Sequence, residues 1–123
     1  MTYKQVATMI KNIGYPCAYY QFPNGTAQDC PFICFYFTSS NDLAADDTNY
    51  QKIRQLAVEL YTDNKDFAKE ETVEDALNAN GLVFSREESY IDSERLYMVT
   101  YMTDVVITEE VVATTENITT EGE

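Results

Sequence analysis

Residues 94–107 constrain the fold more than any other stretch of the chain. In an extended strand Leu96, Met98 and Met102 fall on one side, and Tyr97, Val99, Tyr101, Val105 and Ile107 fall on the other. Both sides are apolar, so one side packs on a core and the other needs a second cover. At 123 residues the chain is one domain in size. A chain of this length buries roughly two thirds of its unfolded surface around a single core. Two helices of ordinary length would cover one sheet face and leave the other open. The expected class is α+β.

The remaining elements follow from local pattern. Val6, Met9, Ile10 and Ile13 make one apolar stripe of a helix over 3–13, stopped by Gly14 with Pro16 beyond. A strand is expected over 17–22, a turn at Pro23-Asn24-Gly25-Thr26, and a second strand over 32–38. Residues 39–49 read as a polar loop carrying Asp42, Asp46 and Asp47. Segment 50–62 is ambiguous. Ile53, Leu56, Ala57, Leu60 and Tyr61 suit a helix, while Leu56, Val58 and Leu60 alternate as in a strand, and the period slightly favours the helix. A helix is expected over 66–80, with a capping-box pattern at Thr72-Val73-Glu74-Asp75 where it starts or restarts, Val73, Ala76, Leu77 and Asn80 on one face, and Gly81 at its end. A strand over 82–89 and a turn at Asp92-Ser93 lead into the last strand. The domain is expected to span 1–108. Residues 109–123 are rich in Thr and Glu without an apolar period, and read as a flexible acidic tail.

Charge narrows the function. Twenty-one Asp and Glu against 8 Lys and Arg leave a formal net charge of -13, which repels phosphate backbones and argues against nucleic-acid binding. No apolar run is long enough to span a bilayer, and residues 1–5 lack the apolar core of a signal peptide. The odd cysteine count, Cys17, Cys30 and Cys34, suits free thiols in a reducing compartment. On one strand Cys30 and Cys34 would stand about 13 Å apart, too far for a bridge. The matches Asn24-Gly25-Thr26 and Asn117-Ile118-Thr119 to glycosylation acceptors are then incidental.

Catalysis finds few candidates. The chain has no histidine, no Cys-x-x-Cys and no glycine-rich phosphate loop among four glycines. Asp42, Asp46 and Asp47, and likewise Asp63-Asn64-Lys65-Asp66, lack the central Gly and closing Glu of a calcium loop. Glu87, Glu88, Asp92 and Glu94 read as a charged strand edge that discourages stray pairing. No enzyme, cofactor or metal is expected. Tyr19-Tyr20 and Phe35-Tyr36-Phe37 suit a core sheet with hydroxyls at its rim, or a self-association face.

A family resemblance supplies the functional expectation. The run Asn49-Tyr50-Gln51-Lys52-Ile53, then Val58-Glu59-Leu60-Tyr61-Thr62-Asp63-Asn64-Lys65-Asp66, Glu74-Asp75-Ala76-Leu77, Gly81-Leu82 and Glu88-Ser89-Tyr90-Ile91-Asp92-Ser93-Glu94-Arg95-Leu96-Tyr97-Met98-Val99-Thr100-Tyr101 carries it. In that order these segments resemble the tail terminator (head-tail joining, tail completion) proteins of siphophages and prophages, over about residues 1–110. The resemblance implies an α+β fold with a mixed or antiparallel sheet of about five strands and two helices packed on one face, in which 50–62 is a strand. It also implies a hexameric ring that stops tail-tube growth between the major tail protein and a head completion protein. Such a protein would work in the host cytoplasm during assembly and in the virion tail. The expected self-contact surface comprises Tyr97, Val99 and Tyr101 of the last strand, or Leu96, Met98 and Met102 on its other side, together with Asp42, Asp46 and Asp47. The rival expectation is a monomeric or dimeric adaptor that binds one protein partner, such as a phage regulatory protein.

Overall fold

A computed structural model describes residues 1–23, 29–40, 43–44 and 50–108. The expected tail, Asn24 to Thr26, and Asp42, Asp46 and Asp47 lie outside these residues.

Helix α1 spans Tyr3–Lys11. Thr2 caps it reciprocally: the Gln5 amide donates to the Thr2 hydroxyl at 3.0 Å and the Thr2 amide to the Gln5 side chain at 2.9 Å. Its stripe Val6, Met9 and Ile10 is buried. Strand β1, Cys17–Tyr19, is shorter than expected. Tyr20 turns into the left-handed region at φ 73° and stacks on Tyr36, with ring centroids 4.6 Å apart. β1 pairs in parallel with β2, Phe32–Ser40. The connection between them therefore crosses the sheet and does not close a hairpin.

The expected loop at 39–49 is in part strand. β3, Leu43–Ala44, pairs with β4, Tyr50–Thr62. After a one-residue slip between Phe37 and Ser39, the pairs Ser40↔Arg54, Leu43↔Gln51 and Ala44↔Tyr50 continue one ladder. Segment 50–62 is thus a strand, as the resemblance implied and against its helical period. β4 lies between β2 and β6, so ladder pairing on both edges outweighs local periodicity.

Helix α2 spans Phe67–Ala79 and starts at Asp66, whose Oδ1 accepts the Lys69 amide at 3.1 Å. The pattern at Thr72 is not a cap: its hydroxyl donates to the Ala68 carbonyl from within the helix. Gly81, at φ 75°, closes the helix: its amide bonds the Asn78 carbonyl while that of Leu82 bonds Leu77. β5, Phe84–Ile91, turns into β6, Leu96–Ile107. The main sheet runs β1-β2-β4-β6-β5, parallel between β1 and β2 and antiparallel elsewhere. The fold is α+β, with a mixed five-strand sheet and two helices.

Both helices pack on one face. Ile33 and Phe35 of β2, Leu56, Val58 and Leu60 of β4, and Val99, Tyr101, Val105 and Ile107 of β6 form one cluster with the stripes of α1 and α2. Val99 and Tyr101 are 2% and 0% exposed, so they belong to the core and not to a contact surface. The expectation is corrected for these two residues. Tyr97 shares their face at the end of the strand, opposite Thr62 and Tyr90.

Candidate interaction surface

Among the described residues, the other face of the sheet has no helix over it. Cross-strand pairs set its rows. Phe32, Tyr61, Met98 and Ser89 form one, Cys34, Glu59, Thr100 and Glu87 the next, and Tyr36, Ala57, Met102 and Ser85 the third. The connection leaving β1 covers the β2 margin, where Tyr20 stacks on Tyr36 and Phe22 meets Phe32 edge-on at 5.5 Å. Cys34, beneath it, is 5% exposed. Over β4 and β6 the face keeps Tyr61, Met98, Thr100 and Met102 half-buried, and Val106 is 42% exposed.

Glu59 sits in the middle of this face. Its Oε2 accepts the Tyr36 hydroxyl and its Oε1 the Tyr61 hydroxyl, each at 2.7 Å. Both phenols are backed by rings: Tyr36 by Tyr20, and Tyr61 by Phe32 at 4.7 Å and 13°. The hydrogen bond to Glu59, with burial behind it, pushes the Tyr36 phenol up to about 12. Burial, followed by the same carboxylate, raises Tyr61 further. Burial and the Glu59 charge raise the Cys34 thiol to about 11. Phenols and thiol therefore stay neutral at physiological pH, and the charge at the centre is that of one carboxylate.

Cations are absent from this side. Among the described residues the open face carries Glu59, Glu87 and Asp104 and no Lys or Arg. Lys4 and Lys11 are on α1. Lys52 and Arg54 lie in the helix-side rows, opposite Ile107 and Val105. Arg95 lies in the β5–β6 turn. Lys65 and Arg86 converge on Glu70, a residue of α2 that is 3% exposed. Arg86 reaches it at 2.7 Å, Lys65 also holds Glu88 at 2.9 Å, and the buried Tyr101 hydroxyl donates to Glu74 at 2.8 Å. Burial first, then the Glu74 hydrogen bond, raises the Tyr101 phenol.

These contacts relocate several sequence candidates. Lys65 and Asp66 serve an ion pair and a helix cap. Glu88 is an ion-pair partner that ties the β5 edge to α2, whereas Glu87 lies on the open face. Sequence reasoning missed the Glu59 cluster. Its signal was a single carboxylate inside the apolar run Leu56 to Tyr61, three residues past Leu56 and flanked by Val58 and Leu60.

No family model matches the chain, and no curated protein matches it in sequence. Among solved structures, its fold is similar to a chain of the virion of native gene transfer agent (GTA) particle. The TM-score is 0.54 at 14% sequence identity, over 82% of this chain and 84% of that chain. At that identity the likeness is one of fold.

Proposed function

We propose that this chain is a structural protein of a phage-type virion, of the tail terminator or head-tail joining class. In this reading it forms a ring, hexameric by the resemblance, that ends tail-tube growth and contacts the major tail protein and a head completion protein. It is non-catalytic, and acts in the host cytoplasm during assembly and then in the virion tail. The observation that carries the proposal is the sheet face that neither helix covers, half-buried aromatic and thioether surface around Glu59. A lone soluble domain seldom leaves a contiguous apolar patch of more than a few hundred Å² in water. The ordered resemblance over residues 1–110 supports that class, and the fold shared with a gene transfer agent virion chain supports the coarser reading of a phage-type structural protein.

The test is genetic and visual. Phage or prophage particles made without the protein should show tails of abnormal length, or heads and tails left unjoined, under the electron microscope. Intact particles with normal tails would overturn the proposal.

A further inference from the structure

We infer that the open face seats a cationic side chain of a different protein, an arginine or lysine presented between apolar residues, over Glu59 and between Tyr36 and Tyr61. The inference rests on reading this face as a docking surface and needs no particular ring.

Three observations converge on it. First, Glu59 has two phenol donors and no cationic partner among the described residues. A carboxylate offers about four lone-pair sites, so roughly two acceptor positions remain after the phenols are served. Second, the rings beside it stand in two stacked pairs, Tyr20 on Tyr36 and Tyr61 on Phe32. Ring faces attract a cation, and arginine in particular combines stacking with a forked donor set that fits a carboxylate. Third, Met98 and Met102 extend the same face as deformable apolar surface, suited to the residues flanking that cation. A neutral apolar partner would bury the Glu59 charge without compensation, which is the costlier arrangement.

The same charges argue against a second copy as the occupant. Two open faces set together would oppose Glu59, Glu87 and Asp104 with the same three acids. The chain's cations lie in the helices, on the helix side or in the β5–β6 turn, and Lys65, Lys69 and Arg86 are engaged with Glu70, Glu88 and Asp66. Each copy also carries -13. A basic segment from another protein meets the face with complementary charge.

The experiment uses the full chain with isotope-labelled tyrosine rings, read by NMR. The probes are the capped peptide Leu-Arg-Leu and its citrulline counterpart, which keeps the shape and removes the charge. The arginine peptide should move the Tyr36 and Tyr61 signals and bind about tenfold tighter than the citrulline peptide, the worth of one charge-assisted contact. In Glu59→Gln that difference should vanish while the buried Tyr101 signal reports an intact core. Equal binding of the two peptides, or no movement at millimolar peptide, would overturn the inference. Sedimentation of the chain alone provides the other arm. Self-association that Glu59→Gln abolishes would give the face to a second copy and overturn the assignment to a different protein. Failure on either count leaves the particle test of the proposed function intact, because that test does not depend on this contact.

Discussion

Strand β6 presents two apolar faces that met different fates. On one, Val99, Tyr101, Val105 and Ile107 are at most 5% exposed beneath α1 and α2. On the other, Leu96, Met98 and Met102 stay half-buried and Val106 is 42% exposed. Composition does not separate them; the cover the chain can supply does. The polar groups differ in the same way. On the helix side Glu70 of α2 is met by Lys65 and Arg86, whereas on the open face the side chains that meet Glu59 among the described residues are neutral phenols. The difference teaches that the described residues complete the helix side, while on the open side they leave apolar and charged groups without a helix over them.

The sharpest way to break this comparison is to place one charge on each face of the same strand. Tyr101→Glu would bury a carboxylate in the core and should prevent folding, a loss above about 4 kcal/mol. Met98→Glu should leave circular dichroism and the thermal midpoint nearly unchanged and abolish docking on the open face. Similar thermal midpoints for the two variants would refute the assignment of faces.

A milder pair tests packing. Leu56→Ala should cost about 2–5 kcal/mol by urea denaturation, because its site is closed on every side. Met102→Ala should cost about 1 kcal/mol or less in the isolated chain, since part of that side chain already meets water. Equal costs would mean that the open face is covered in the free protein.

The carboxylates give a third contrast. Glu70→Gln removes the buried charge that faces Lys65 and Arg86 and should cost about 1–3 kcal/mol; the two cations soften the loss by turning to solvent. Glu59→Gln keeps an acceptor for one phenol and should cost under about 1 kcal/mol. A larger cost at Glu59 than at Glu70, by urea denaturation, would make the open-face cluster a stabilising element in its own right.

The smallest effect is expected in alkali. Tyr36, Tyr61 and Tyr101 have phenols raised in the fold above their ordinary value near 10. The sign follows from linkage: the stability they contribute is complete below pH 10 and declines as pH rises through the folded values, which for Tyr36 is about 12. Ultraviolet titration should show these phenols ionising after the others, and Glu59→Gln should bring Tyr36 down. An unchanged Tyr36 titration in that variant would disconnect it from Glu59.

How much of this was legible beforehand differs by region. The two helices were plain, because stop residues followed their stripes at Gly14 and Gly81, and the 94–107 run was plain from its length and its apolar residues on both sides. The identity of β4 was hidden by a run that satisfies both periods, and only its two ladder partners decide it. The parallel pairing of β1 was invisible, since no local pattern encodes which edge a three-residue strand joins. The side of β6 that stays open was undecided for a related reason: both sides are apolar, and the helices determine which is core. The Glu59 cluster needed register, because Tyr36 comes to it across a strand pair, 23 residues away in sequence.

The ladder between β4 and β6 also sets an order of events for folding. β2 with β4, and β5 with β6, are joined by connections local in sequence. Their union is the register from Lys52↔Ile107 to Thr62↔Tyr97, eleven pairs whose nearest ends are separated by all of α2 and β5. Closing that long loop costs chain entropy before most of the pairs form, so the two hairpins can arise early and independently while the central seam waits. The central seam is therefore expected to form after the strand pairs that flank it.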